Sequence, residues 1–241
     1  MLIGLAYPLT ICEGEDMTAV VAAIANQKGG VGKTTLSVNV AVEFWRRGYK
    51  VLVIDADPQG SAVEYAANAP EDEPFPIPII NLASAGPKLA QEVGRHADSY
   101  DIIVIDCPPH KSSPQTLAAL IASDLVIIPL YPSWLDLTAT KATLETLEIA
   151  KGSNPEIRSA VLLNGVRSKT MMSITINLAI NELQIPRLKT EISQAEELRQ
   201  IVGDGEAIAL RGHSKSRQQI NDLADELLEM AGLPIAKQEA A

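Results

Sequence analysis

Two lysines and three glycines stand together between residues 28 and 35, in the stretch Lys-Gly-Gly-Val-Gly-Lys-Thr-Thr. Backbone N–H groups can wrap a chain of phosphates closely where glycines leave no Cβ in the way. A lysine at the end of such a loop places its ammonium beside the phosphates, and the hydroxyl that follows is a ligand for Mg²⁺. The stretch therefore predicts a loop that binds nucleotide phosphates through Lys28, Gly29, Gly30, Val31, Gly32, Lys33, Thr34 and Thr35.

Within this loop the two lysines have different expected roles. Lys33 is predicted to contact the β- and γ-phosphates, and Thr34 is predicted to bind Mg²⁺. Lys28 lies too far forward for the same position, and the usual opening glycine of such a loop is here Gln27. The alternative is a glycine-rich turn between a strand and a helix, with two surface lysines. The strand and helix patterns on either side favour the phosphate loop.

Carboxylates follow two further apolar runs. Asp55 and Asp57 come at the end of the run that starts at Lys50, and Asp106 ends the run that starts at Tyr100. The carboxyl ends of parallel strands border the crevice where such sheets bind ligands. Asp106 is therefore predicted to support Mg²⁺, and Asp55 is a second candidate ligand. The alternative for Asp55 and Asp57 is an ordinary turn with a helix cap.

The elements that must position these residues alternate between strand and helix. Four prolines between residues 69 and 78 indicate a surface loop. The alternation predicts an α/β fold, a mostly parallel twisted sheet flanked by helices on both faces with right-handed crossovers. Strands are predicted at 19–25, 50–55, 79–82, 100–106, 125–130 and 160–164, and helices at 36–45, 88–97, 135–150, 171–183 and 214–230.

Asn164 ends one of these predicted strands. Its amide is predicted to lie in the same crevice and to read the edge of an adenine base. The alternative is that Asn164 and Gly165 form a turn, because Asn-Gly is a common turn pair.

The bulk of the chain predicts one folded domain. With 241 residues and 46% hydrophobic content, the chain can bury a sizeable core. Residues 17–241 are predicted to form this domain, and residues 1–16 to be an N-terminal extension, either a flexible tail or an artefact of start-site choice. Only Cys12 and Cys107 are present, which suits a reducing cytoplasm. The acidic last helix is a poor membrane anchor, so no membrane partner is expected.

Charge is distributed unevenly along the chain. The formal net charge is −10, so no global attraction to nucleic acid follows. Residues 158–217 contain nine Lys or Arg and six Asp or Glu, a net of 9 − 6 = +3. This segment predicts either a patch that contacts DNA phosphates without sequence preference or a solvated helix end. The candidate DNA-binding residues are Arg167, Lys169, Arg211, Lys215 and Arg217.

Three motifs together resemble a known family. These are the loop at 28–35, the Asp-Ala-Asp-Pro-Gln-Gly stretch at 55–60 and the Ile-Asp-Cys-Pro-Pro stretch at 105–109. In this order they are similar to the ParA/MinD class of deviant Walker ATPases, with the nearest resemblance to the small ParA (ParF-like) partition proteins. The resemblance implies that Lys28 reaches across a nucleotide-sandwich dimer to the partner subunit's phosphates. It also implies that Asp57 positions the attacking water, and that Asp106 and Thr34 hold Mg²⁺.

The resemblance also implies a function. It implies ATP and Mg²⁺ as cofactors, a homodimer on ATP, non-specific DNA, a ParB-like adaptor that stimulates slow hydrolysis, and a cytoplasmic, nucleoid-associated location. The leading hypothesis is segregation of plasmid or chromosomal DNA. The alternatives are ParA-like positioning of a protein cargo and a P-loop metabolic synthetase of similar fold. An electron-transfer ATPase is disfavoured, because Cys12 and Cys107 do not match the cysteine positions that an iron-sulfur cluster needs.

Overall fold

A seven-stranded parallel sheet forms the centre of the computed structural model, which describes residues 18–109, 113–167, 180 and 185–235. The strand order is β3-β2-β4-β1-β5-β6-β7, and each pair of neighbours is parallel. The strands are β1 (Val20–Ile24), β2 (Val51–Asp55), β3 (Ile79–Asn81), β4 (Ile102–Asp106), β5 (Leu125–Leu130), β6 (Arg158–Val166) and β7 (Arg187–Ser193).

Helices cover both faces of this sheet. One apolar layer joins α1, α2 and α7 to the sheet, and a second joins α3, α4 and α5 to the opposite face. This arrangement confirms the predicted α/β fold. The helices are α1 (Lys33–Arg46), α2 (Ser61–Ala67), α3 (Leu89–His96), α4 (Pro114–Ile121), α5 (Trp134–Lys151), α6 (Glu197–Asp204) and α7 (Lys215–Ala231), with 3₁₀ turns at Ala83–Lys88 and Ile208–Leu210.

The predicted elements differ from the observed ones mainly at short segments. Strand β5 has the predicted bounds, whereas α2, α4, α6 and β7 were not predicted. Helices of seven or eight residues span about two turns, so they show little apolar periodicity. The prediction that a strand ends at Asn164 is wrong, because β6 continues to Val166 through an irregular pairing with β7.

Some predictions fall outside the part of the chain that the structure describes. They are the proposed extension at residues 1–16 and, apart from Ile180, the helix expected at 171–183. Among the described helices, none combines the length and the apolar character needed to cross a lipid bilayer.

Candidate functional site

The register of the central strands brings the candidate residues to one edge of the sheet. Strand β4 lies between β1 and β2, and Asp106 is aligned with both Ile24 and Asp55. The predicted phosphate loop follows β1 and leads into α1, whose first residue is Lys33. The loop, both carboxylates and the N-terminal end of α1 therefore meet at the carboxyl ends of the strands, as the sequence predicted.

The phosphate loop has a backbone shape that requires glycine next to α1. Gly32 is the N-cap of α1 with φ 85°, in the left-handed region that side chains disfavour. A Cβ added there would lie 2.4 Å from Nδ2 of Asn164. That Nδ2 donates a 2.8 Å hydrogen bond to the Val31 carbonyl. Asn164, which lies in β6, therefore holds the loop in place through this hydrogen bond. Its proposed role in contacting adenine stays a prediction.

Lys33 lies at the mouth of the loop in a largely buried position. Its Nζ donates a 3.0 Å hydrogen bond to the Lys28 carbonyl. Burial lowers the pKa of Lys33, while the nearby negative charges of Asp106 and Asp57 oppose that shift. A cation held among carboxylates in a dry site is suited to binding phosphate oxygens.

Asp106 and Thr34 form a contact suited to magnesium. The Asp106 carboxylate accepts hydrogen bonds from the Thr34 hydroxyl at 2.6 Å and the Ser37 hydroxyl at 3.3 Å. Burial raises the pKa of Asp106 to about 7, with a smaller contribution from Asp55, while the Thr34 hydrogen bond and Lys33 lower it. Carboxylate and hydroxyl oxygens are ligands that Mg²⁺ accepts. Ser37, which sequence reasoning missed, adds a second hydroxyl.

We expect the free energy of unfolding to depend on pH through the protonation of Asp106. Burial raises its pKa on folding, so the folded protein holds this proton more tightly than the unfolded chain does. The stability from protonation is fully present below the unfolded pKa of 3.8 and is lost as the pH rises through about 7. From about pH 6 to about pH 8, without nucleotide, the stability of wild type relative to Asp106→Asn should fall by about 1 kcal/mol. Urea unfolding of both proteins measures this difference, and a constant or increasing value would contradict it.

Asp55 has contacts that point to a structural role. Its carboxylate accepts backbone N–H bonds from Asp57 at 3.0 Å, Ala62 at 2.9 Å and Val63 at 3.2 Å. The side chain is fully buried, and burial raises its pKa against these hydrogen bonds. Asp55 thus shapes the following loop and caps α2, as the turn-and-cap alternative predicted. Its proposed role as a magnesium ligand stays a prediction.

Asp57 lies in the loop that Asp55 organises. One of its carboxylate oxygens accepts the Gln59 N–H at 3.0 Å, and its carbonyl accepts a bond from the Asn81 amide at 3.1 Å. Asp57 follows the carboxyl end of β2, which is aligned with the end of β4 at Asp106, and its negative charge opposes the lowering of the Lys33 pKa. The position is consistent with the water-positioning role that the family resemblance implies.

Lys28 forms an ion pair that the sequence did not indicate. Its Nζ lies 2.6 Å from Oδ2 of Asp136, and its side chain is 34% exposed whereas that of Asp136 is 3% exposed. Asp136 is in the first turn of α5 and also accepts a hydrogen bond from Ser133, the N-cap. Its other oxygen, Oδ1, is buried and has no hydrogen-bond partner among the described residues. Lys28 is therefore held within its own subunit in this state.

Helix α5 also supports the front of the phosphate loop. The Gln27 N–H donates to the Thr143 hydroxyl at 3.0 Å, and the Gln27 side-chain amide donates to the Ala142 carbonyl at 2.8 Å. The Asn26 amide donates to the Thr140 hydroxyl at 3.4 Å. The glutamine that replaces the usual glycine thus ties the loop to α5. The sequence signal that could have indicated this contact is the three-residue spacing of Thr140, Thr143 and Thr146, which places them on one helix face.

Removing the Thr143 hydroxyl should loosen this support. We expect Thr143→Val to lower the free energy of unfolding by about 1–3 kcal/mol, because the Gln27 N–H loses its partner in a part-buried place. Thr138→Val is the matched control, since Thr138 is exposed on the same helix and, among the described residues, its hydroxyl donates only to the Trp134 carbonyl in the preceding turn. Urea unfolding compares the two variants. Equal stability of both variants would contradict the expectation.

The candidate DNA-binding residues fall into two groups. Arg211 pairs with Asp204 at 2.8 Å and Glu206 at 2.6 Å, and its carbonyl accepts a bond from Arg217 at 2.6 Å. Lys215 is exposed beside them. The second group contains Arg167, which donates a hydrogen bond to Gln194 and lines a cavity of about 520 Å³ together with the exposed Arg199. Lys169 lies outside the described residues.

Comparisons with known proteins agree with this geometry. Residues 22–208 match the model of the CobQ/CobB/MinD/ParA nucleotide binding domain. The Maintenance of carboxysome distribution protein A of Halothiobacillus neapolitanus is 32% identical over 213 residues, which cover 86% of this chain and 95% of that protein. The chromosome-partitioning ATPase Soj of Thermus thermophilus is 36% identical over 162 residues, 56% of this chain and 65% of that protein.

A solved structure shows the same fold. The septum site-determining protein MinD of Pyrococcus horikoshii, complexed with Mg-ADP, superposes with a TM-score of 0.71 at 22% identity, covering 89% of this chain and 98% of that one. The matches extend over most of the chain, and the three motifs lie at one edge of the sheet. The chain therefore belongs to the CobQ/CobB/MinD/ParA nucleotide-binding family, as a deviant Walker ATPase of the ParA class.

Proposed function

We propose that the protein is a positioning ATPase that forms a homodimer on binding ATP and separates after hydrolysis. The observation that best supports this proposal is the placement of Lys28. It stands at the front of the phosphate loop, is partly exposed, and is held by a carboxylate rather than by the loop. Once it left Asp136, a cation in this position would be able to reach a second subunit, which Lys33 is not, because Lys33 is largely buried within its own loop.

The chain's residues would share the work of phosphoryl transfer. Loop N–H groups and Lys33 would hold the β- and γ-phosphates, and Thr34 with Asp106 would hold Mg²⁺, which neutralises developing charge when bound. Asp57 would position the attacking water. Phosphoryl transfer depends mainly on positioning and charge stabilisation, so Lys28 from the partner would complete each site. Hydrolysis would then require two subunits.

Dimerisation would also control DNA binding. A single chain has a net charge of −10, and its basic group near Lys215 consists of Arg211, Lys215 and Arg217. Its attraction to DNA is therefore weak. Two such groups in one dimer would double the phosphate contacts and steepen the salt dependence. Nucleoid association would follow from ATP binding, and release would follow from hydrolysis.

The cargo separates two forms of this proposal. Segregation of plasmid or chromosomal DNA through a ParB-like adaptor is one form, and the similarity to the partitioning ATPase of Thermus thermophilus supports it. Positioning of a protein cargo is the other, supported by the similarity to the carboxysome distribution protein, which covers 86% of this chain. Both forms use the same ATP-dependent dimer.

DNA co-sedimentation with ATP, ADP and no nucleotide tests the shared mechanism. We expect retention with ATP and Mg²⁺, loss of retention with ADP, and a steep fall with added salt. Equal retention with ADP and ATP would contradict the proposal. ATP turnover that rises with a small metabolite, and not with DNA and an adaptor, would favour a metabolic synthetase instead.

The basic group can be tested with one matched pair of variants. Lys215→Ala should weaken ATP-dependent retention and lower the salt slope by about one per subunit, because one phosphate contact is lost. Lys141→Ala is the control, since Lys141 is also exposed but lies on α5. A salt slope unchanged by Lys215→Ala would place the DNA contacts elsewhere.

A further inference from the structure

A buried polar network joins the nucleotide site to the basic group near Lys215. Its centre is formed by Asn39 of α1 and Tyr65 of α2, whose side chains are hydrogen-bonded at 3.3 Å. Both are almost fully buried. Neither residue belongs to a motif that the sequence analysis singled out.

The first branch of this network reaches the phosphate loop. The Asn39 amide donates a 2.7 Å bond to the carbonyl of Thr35, the last residue of the loop motif. The adjacent Thr34 contacts Asp106. Asn39 is therefore fixed to the turn of α1 that would bind magnesium and phosphate.

The second branch reaches the Asp57 loop. Tyr65 lies in α2, and the Asp55 carboxylate caps the start of α2 through the Ala62 and Val63 N–H groups. The same carboxylate accepts the Asp57 N–H. A shift of Asp57 on a bound γ-phosphate would therefore be carried into α2 and to Tyr65.

The third branch reaches the 205–217 segment. The Tyr65 hydroxyl donates to the Glu206 carbonyl at 2.6 Å, and the Ile208 N–H donates to the Asn39 side-chain oxygen at 2.7 Å. Gly205 has φ 64°, and a Cβ there would lie 2.1 Å from the Ala69 nitrogen, directly after α2. The segment is thus packed tightly against the end of α2.

The 205–217 segment continues outward to the basic residues. Glu206 pairs with Arg211, and the Arg211 carbonyl accepts a bond from Arg217 at the start of α7. Exposed Lys215 lies between them in sequence. A displacement of Glu206 therefore changes the surroundings of three cations.

We propose that Asn39 and Tyr65 are positioning residues that transmit the nucleotide state to the basic surface of the 205–217 segment. The inference rests on the proposed function, because it explains how ATP would alter DNA affinity beyond bringing two subunits together. Coupling of this kind is a difference in free energy between two sites that share one movable element. That element is the 205–217 segment with α2.

Tyr65→Phe removes one hydroxyl and leaves the ring in place. Tyr49→Phe is the matched control, because the Tyr49 hydroxyl also donates to a backbone carbonyl, that of Pro234, after the last helix. We expect Tyr65→Phe to lower the ratio of DNA affinity with ATP to that with ADP by about fivefold or more. Dimerisation on ATP, measured by light scattering, should persist, and Tyr49→Phe should behave as wild type.

Hydrogen exchange gives a second measurement that does not involve DNA. In wild type, the exchange of amides 206–211 should differ between ADP and a non-hydrolysable ATP analogue, and Tyr65→Phe and Asn39→Ala should both reduce that difference. General destabilisation raises exchange with both nucleotides, so the ratio within each variant isolates the coupling.

The outcomes separate this inference from the proposed function. If the ATP-to-ADP ratios of DNA affinity and of hydrogen exchange in Tyr65→Phe equalled those of wild type, the inference would be overturned while the proposed function would stand. Loss of the ATP dimer in Tyr65→Phe would also overturn it, because the damage would then lie in the nucleotide site. If wild type bound DNA equally with ATP and ADP, the proposed function would fail. An exchange difference that Tyr65→Phe removed would still support the coupling.

Discussion

Replacing Lys28 with alanine is expected to abolish the ATP-dependent dimer, while a single subunit still binds nucleotide. Lys33 and the loop N–H groups are proposed to hold the phosphates within one subunit, whereas Lys28 is held by Asp136 outside the loop. A cation that a partner subunit supplies stabilises the charge that develops during phosphoryl transfer. It accelerates the reaction by about 10³–10⁵-fold. We therefore expect hydrolysis to fall by at least about 100-fold. Light scattering with ATP and Mg²⁺ measures the dimer, and phosphate release measures hydrolysis.

The ion pair with Asp136 requires a careful control for this variant. Without Lys28, the Asp136 carboxylate is left buried and unpaired, which costs stability independently of any dimer. The double variant Lys28→Ala with Asp136→Ala removes both charges and should recover stability without recovering the dimer. Lys141→Ala, at an exposed lysine of α5, should dimerise as wild type does. A normal ATP dimer in the double variant would show that Lys28 is not needed across the interface.

Replacing Asp57 with asparagine should have the opposite effect on the dimer. Asparagine keeps an oxygen that can accept the Gln59 N–H, so the loop should hold its shape while the negative charge is lost. Without that charge to orient water, hydrolysis should fall by about 10²–10⁴-fold. The ATP-bound dimer should then accumulate and stay on DNA.

Asp72→Asn is the matched control for this experiment, because Asp72 is an exposed carboxylate in the proline-rich loop after α2. Its hydrolysis and dimer lifetime should equal those of wild type. If the Asp57→Asn variant stayed monomeric with ATP and Mg²⁺, that result would contradict the dimer mechanism as a whole. Rapid hydrolysis by Asp57→Asn would contradict only the role of Asp57.

Local patterns were sufficient to predict the fold and the edge of the sheet at which the candidate residues meet. The phosphate loop is eight consecutive residues, and the roles expected of its glycines, Lys33 and Thr34 follow from their own chemistry. The run that ends in Asp106 is fully buried as β4, and its predicted neighbours alternate with helices as the structure confirms. Parallel strands place their carboxyl ends together, so the sequence also predicted that Asp106 would lie near the loop.

Partners that are distant in the chain were decided only by the tertiary structure. Lys28 and Asp136 are 108 residues apart, Gln27 and Thr143 are 116 apart, and Asn39 and Ile208 are 169 apart. Side-chain contacts of this kind depend on which helix packs against which strand end, and no spacing within a motif reports that packing. For the same reason the sequence could not choose between two roles for Asp55. The structure shows a positioning role, because the N–H groups of Asp57, Ala62 and Val63 converge on its carboxylate.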